Sequence, residues 1–265
     1  MKFDAYGATV PGVKMSALAH LLADNLNAIA ANGPPMRRYG ETVQIQVGER
    51  NLAWLGQDKT SGDCYIEGKG DTTPELVKVI REHYPVHSAP RIDVCEDYDH
   101  PGAFGQLQAI VRSNKGERVK GGYVALPDDE EDGKTWAAGV RGGVGYIRVY
   151  EAGKHPDRLH LAKPDWVRAE LEVRPHYARD KVAAATMEPL QVWGLSAWTQ
   201  RVGQALTKCD IERFMPEVRE YSHGKTVTYI ATTFRRCLEE MVRNGEDITR
   251  TFQSVWQEQD KRLRR

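Results

Sequence analysis

Net charge is the first thing this sequence lacks: 37 basic and 37 acidic side chains cancel over its 265 residues. No global field therefore draws the chain onto a polyanion, and any nucleic-acid contact has to come from a local patch. Its four cysteines, Cys64, Cys95, Cys209 and Cys237, include no C-x-x-C pair, which excludes zinc and dithiol centres of that spacing and fits reduced thiols in a cytoplasm. No apolar run is long enough to span a bilayer, and the first twenty residues lack the basic start and apolar core of a secretion signal. No membrane partner is expected, and the cytoplasm of a bacterial cell is the expected location.

What is present is a run of alternating and helical segments. Phe3 to Val10 alternates as a strand, and Ser16 reads as the N-cap of a helix burying Leu18, Leu21, Leu22, Leu26 and Ile29 before Gly33, Pro34 and Pro35. Thr42 to Val47 and Asn51 to Leu55 read as a hairpin, and Cys64 to Glu67 extends it. Pro74 suits the first turn of a helix carrying Leu76, Val77, Val79 and Ile80, which Pro85 ends. Then Arg91 to Asp97 reads as a strand and Gly105 to Ser113 as a helix. Gly122 to Leu126, Thr135 to Val140, Tyr146 to Tyr150 and Trp166 to Val173 follow as strands. The order of strand, helix and several strands thus occurs twice. The fold class expected is α+β, an antiparallel sheet built from two split β-α-β units of the RRM or ferredoxin-like kind. Trp198 to Cys209, Lys225 to Val242 and Thr249 to Leu263 read as helices, most of them in a C-terminal helical extension. Asp128 to Asp132 and the basic end Lys261 to Arg265 read as solvated charge runs.

Side chains alternate across a strand, so Ile92 and Val94 share one face with Ile147, Val149, Val167, Ala169, Leu171 and Val173 on the neighbouring runs. The other face then carries Arg91, Asp93, Tyr146, Arg148, Tyr150, Arg168, Glu170, Glu172 and Arg174, pointing outward. Two readings of that face are open. Arg and Glu on adjacent strands form ordinary cross-strand ion pairs on a solvated surface. The same groups are also what phosphate transesterification needs. Carboxylates supply the oxygen ligands that Mg²⁺ or Mn²⁺ prefers, a phenol can attack phosphorus once a nearby cation favours phenolate, and Arg148 or Arg168 can stabilise charge building on the phosphate.

Arg91-Ile92-Asp93 followed by Glu96-Asp97, then Ile147-Arg148-Val149-Tyr150-Glu151, then Trp166-Val167-Arg168-Ala169-Glu170-Leu171-Glu172, resembles the Rep_trans replication initiators. That family includes rolling-circle plasmid initiators and filamentous-phage replication proteins. Phe3-Asp4-Ala5-Tyr6 and Thr9-Val10 are similar to the phage-type start, so the resemblance spans roughly residues 3 to 205. It implies a nickase domain over 1–205 and a helical extension over 206–265. It also implies that Tyr150 nicks single-stranded or origin DNA and stays attached to the 5′ phosphate. A divalent metal, Mg²⁺ or Mn²⁺, would be held by Asp93, Glu170 and Glu172, and a homodimer and a host helicase are the further partners implied. Many relatives carry Lys two residues after the tyrosine, where this chain has Ala152 and its next cation is Lys154. Either Lys154 reaches the same phosphate or the activity is weakened.

The eight histidines include no His-x-His, which excludes the nicking enzymes that bind metal through that motif. The glycine-rich stretch 139–145 lies between two strands, so it reads as a hairpin turn rather than a phosphate loop, with Arg141 as a DNA contact on it. Arg91 and Tyr146 are further DNA-contact candidates. Tyr98, Trp136 and Tyr146 are candidates for stacking on unpaired bases or for half-buried sheet positions. The alternative function on the same fold is a non-catalytic DNA-binding or protein-binding regulator of a phage or mobile element.

Overall fold

The computed structural model describes residues 1–34, 39–125, 133–214, 230 and 232–254. The expected acidic loop 128–132, the basic end 261–265 and parts of the last two expected helices lie outside them. The chain divides into two compact units, Met1–Glu217 and Val218–Arg265.

The first unit begins with β1 (Lys2–Val10), α1 (Met15–Asn25), β2 (Ile29–Asn32), β3 (Tyr39–Val47), β4 (Arg50–Asp58), β5 (Cys64–Lys69) and α2 (Thr73–His83). It continues with β6 (Ser88–Asp99), α3 (Ala103–Asn114), β7 (Gly121–Ala125), β8 (Thr135–Gly139), β9 (Tyr146–Tyr150) and β10 (Trp166–Val173). Helices α4 (Ala178–Ala184), α5 (Pro189–Val192) and α6 (Ala197–Thr207) close it. In the second unit the described part contains α7 (Arg235–Arg243), which buries none of its residues.

Among the described residues ten strands form one sheet in the order β2-β3-β4-β5-β1-β6-β10-β9-β8-β7, and every pair is antiparallel. The order reads the same from either edge. Each half is a strand, a helix and a four-strand meander whose last strand returns beside its first. The first strands, β1 and β6, meet at the centre with Ala5 opposite Asp93. Strands β6-β1-β5-β4 form one ferredoxin-like set and β1-β6-β10-β9 the other, so the expected α+β class with two split units is what the chain adopts.

The core lies on one face of this sheet, where Tyr6, Ile66, Ile92, Val94, Ile147, Val149 and Leu171 pack with Leu18, Leu22, Leu76, Ile80, Val111 and Val202 from the helices. Local chemistry sets the helix ends. Pro74 occupies the first turn of α2, and Ser196 Oγ accepts the Thr199 amide at 3.3 Å to start α6. Two expectations fail at α1. The helix starts at Met15 with no side-chain cap, so Ser16 lies inside it. Ile29 belongs to β2 and is 62 % exposed, because Asn27 turns left-handed at φ 48° and breaks the helix whose spacing Ile29 continues.

Candidate functional site

The site lies on the sheet face away from that core, across the neighbouring strands β6, β10 and β9. Register decides who meets whom: Tyr150 is opposite Arg168, Arg148 opposite Glu170, and Tyr146 opposite Glu172. On the other side of β10, Glu172 is opposite Asp93, Glu170 opposite Cys95, and Arg168 opposite Asp97. The phenol and the acidic groups therefore share one face. The Tyr150 hydroxyl donates to Glu170 Oε2 at 3.2 Å, and Arg148 Nη2 clamps Glu170 Oε1.

The rest of the face is a chain of ion pairs. Arg91 holds Asp93 with two bonds, Nε–Oδ1 at 3.0 Å and Nη2–Oδ2 at 2.5 Å, and reaches Glu67 at 2.8 Å. Arg174 donates to Glu172 at 2.7 Å. Arg168 donates to both oxygens of Asp97, at 2.7 and 3.0 Å, and to Asp4 at 2.5 Å.

Strand alternation alone predicts that this face points to solvent. Instead Asp93, Arg168, Glu170 and Glu172 are each at most 2 % exposed. The reason is position. Strands β6 and β10 are interior to the sheet, so long side chains from β1, β5 and β9 close over theirs, and each buried charge survives by being paired.

Burial shapes the protonation states. It is the main cause that holds the Tyr150 phenol well above its usual range, with the Glu170 carboxylate adding to it, while Arg168 and Arg158 pull the other way. Asp93 is pushed up to about 7, first by burial and then by Glu170 and Glu172, against the opposing bond from Arg91. Burial alone would raise Glu172 too, but Arg174 and Arg91 hold it below the ordinary carboxylate range.

The expected metal ligands supply the right kind of donor, hard carboxylate oxygen. Their arrangement is another matter. Asp93 is taken up by Arg91 and Glu170 by Arg148, and Glu172 Oε2 is buried without a hydrogen-bond partner among the described residues, with Arg91 Nη2 3.7 Å away. Among the described residues no three His, Cys, Asp or Glu side chains group to hold an ion. As arranged, these residues do not fit a bound metal.

Other expected residues fall differently. Lys154 sits in a short 3-10 turn, Ala152–Lys154, and pairs with Glu151 at 3.2 Å. Arg141 lies in the exposed turn before β9, at the end of that strand remote from Tyr150. Tyr146 shares the site face, whereas Trp136 is 3 % exposed in the core and Tyr98 packs against it, so neither of the latter faces this site.

Arg158 carries no signal in the sequence pattern. It stacks over the Trp166 ring at 4.9 Å, acts on the Tyr150 phenol, and keeps a buried Nη1 with no hydrogen-bond partner. Its place in an irregular 3-10 turn, Pro156–Leu161, hides it from any periodic pattern.

No protein-family model matches the sequence, and no curated protein is significantly similar to it. Among solved structures the chain is similar to a rolling circle replication initiator protein from Geobacillus stearothermophilus, with a TM-score of 0.52 and 13 % identity, over 80 % of this chain and 98 % of that one. The likeness at that identity is one of fold. No helix among the described residues is long and apolar enough to cross a membrane.

Proposed function

We propose that this chain initiates replication of the rolling-circle type, nicking and rejoining single-stranded origin DNA through Tyr150. The observation that carries the reading is the Tyr150–Glu170–Arg148 set: a phenol bonded to a carboxylate that a guanidinium holds in place. The shared fold with a rolling circle initiator supports it.

The chemistry follows from the side chains. Tyr150 Oη attacks phosphorus, the P–O3′ bond breaks, and the phenol proton passes to Glu170 Oε2 along the hydrogen bond already present. The departing 3′ oxygen takes a proton from solvent, leaving a 5′-phosphotyrosyl bond and a free 3′ hydroxyl. Because burial and Glu170 both disfavour the phenolate, the proton leaves during the attack rather than before it. Arg148 Nε and Arg158 Nη1, both buried and without a hydrogen-bond partner among the described residues, are the guanidinium nitrogens left to stabilise charge on the phosphate, whereas Arg148 Nη2 holds Glu170 and Arg168 is committed to Asp97 and Asp4. No step passes through a metal ion; an assay run in Mg²⁺ and again in EDTA reads what an ion adds.

One observation favours a second reading, a DNA-binding relative without chemistry. The carboxylates of the face are nearly all neutralised by arginine, as in a purely structural network. The test separates the two. The chain is incubated with circular single-stranded phage DNA and with a pool of hairpin oligonucleotides, then run on a denaturing gel. The nickase reading expects a covalent protein–DNA adduct that Tyr150→Phe abolishes. DNA binding without any adduct leaves the second reading.

A further inference from the structure

The site face continues past β6 and β1 onto β5, β4 and β3, where its character changes. Tyr39, Trp54 and Tyr65 form a cluster in which Tyr39 and Tyr65 lie parallel, 5.9 Å apart at 10°. Trp54 leans on both, at 5.7 Å from Tyr39 and 5.2 Å from Tyr65. None of the three belongs to the hydrophobic core or packs against it, since Ala53, Leu55 and Ile66 fill that role from the opposite side of the same strands. Two strand glycines make room for the rings. A Cβ on Gly56 would stand 2.5 Å from Tyr39 Cγ, and one on Gly7 would stand 2.5 Å from the Tyr65 hydroxyl.

The rings line an open cavity of about 690 Å³ whose wall also includes Arg91, Arg174 and Lys181. That volume is of the order used for small-molecule ligands. Three carboxylates stand in its wall: Glu67 is held by Arg91 and Lys69, Asp58 accepts from the amides of Thr60 and Ser61, and Asp63 accepts a long bond, 3.4 Å, from the Gly12 amide. Lys181 has no ion-pair partner among the described residues. Arg91 and Arg174 join the cavity to the Tyr150 site, because the same guanidiniums bond Asp93 and Glu172.

The two regions are counterparts in the repeated plan. Glu67 on β5 is opposite Gly7 and Trp54, as Glu170 on β10 is opposite Cys95 and Arg148. Counting along the strands, Gly56 takes the place of Tyr150 and Tyr65 that of Arg168. The first half thus has no nucleophile at the matching position and an aromatic cluster where the second half has arginines.

We propose that the Tyr39–Trp54–Tyr65 cavity is a stacking site for unpaired bases of the same strand that Tyr150 cuts, with Lys181 and Arg174 on its phosphates. Rings that line an open cavity can stack on any base, and cations in its wall supply the charge complement of a backbone. Strands β5 and β9 are four strand spacings apart, about 19 Å, which a few nucleotides of a flexible strand bridge. The assignment of DNA as ligand rests on the function proposed above, and the experiment is arranged so that the two can fail separately.

The full chain carrying Tyr150→Phe, which cannot form an adduct, is titrated with fluorescent oligodeoxythymidylate and with the same strand made abasic. The expected result is a preference for the strand with bases. Trp54→Ala should remove most of it, weakening oligodeoxythymidylate binding about tenfold, while Trp54→Phe restores it and the salt slope stays the same. Equal affinity for both strands, or a preference that survives Trp54→Ala, overturns the proposal. Should Trp54→Ala fail to fold, photocross-linking of 5-iodouracil strands to the Tyr150→Phe chain decides: links to Tyr39, Trp54 or Tyr65 support it, and links elsewhere alone overturn it. Base-dependent binding in a chain that never nicks keeps this site and sinks the nickase; nicking with no base preference does the reverse.

Discussion

Strands β4 and β5 in one half of the sheet and β9 and β10 in the other occupy matching places beside the two central strands, yet they spend that position differently. The second half buries a network of charges around a tyrosine, with Arg168 1 % exposed and tied to two carboxylates. The first half places Tyr65 at the same register and surrounds it with rings, keeping one matching carboxylate, Glu67. A repeated backbone therefore does not repeat its chemistry. Each half holds the shared hydrophobic face, and the opposite face is free to diverge because its side chains answer only to their neighbours across the strands.

Mutations at matching positions put this contrast under strain. The largest gap is expected between the two glutamates: Glu170→Gln should slow adduct formation about a hundredfold by removing the proton acceptor, while Glu67→Gln leaves it within about threefold. Equal losses, read as single-turnover rates, would mean that Glu170 acts through general charge rather than by taking the proton. Next come the residues at the Arg168 register. Arg168→Met should cost about 3 kcal/mol in urea unfolding because Asp97 and Asp4 lose their partner in a buried setting, whereas Tyr65→Phe should cost under about 1 kcal/mol. A mild Arg168→Met would show that the network is looser than its geometry.

Arg158→Ala should lower the nicking rate about tenfold with Arg158→Lys recovering part of it, as expected for a donor on the phosphate. Unchanged rates in both variants would leave Arg158 as a packing partner of Trp166 alone. The smallest effect concerns pH. The folded chain holds the Asp93 proton up to about 7, against about 4 for an unfolded carboxyl. The stability from this group is thus fully present below the unfolded value and is lost as pH rises through 7. Its counterpart in the first half is Ala5, which has no proton to lose. Asp93→Asn should accordingly flatten the decline in Tm between pH 5 and 8; an identical decline would place the titration elsewhere.

Much of this was legible in the sequence where alternation is clean. Tyr146–Tyr150 and Trp166–Val173 are strands with the bounds the pattern predicts, and their apolar and polar faces divide as it predicts. What alternation cannot report is what lies over a face, so the burial of Asp93, Glu170 and Glu172 follows from the strand order that makes β6 and β10 interior. The aromatic cluster is hidden in the sequence for a related reason. Trp54 sits inside the continuous apolar run Leu52 to Leu55, and Tyr65 between Cys64 and Ile66, so nothing marks these rings as belonging to the other side. Helix α4 and the turn carrying Arg158 are too short to show a period.

The most direct measurement digests the protein–DNA adduct with protease and locates the nucleotide-bearing peptide by mass spectrometry. The account expects the phosphate on Tyr150, with Tyr146 and Tyr65 unmodified. A nucleotide on either of those tyrosines, or on any other residue, would contradict the assignment of Tyr150 and Glu170 as the reacting pair.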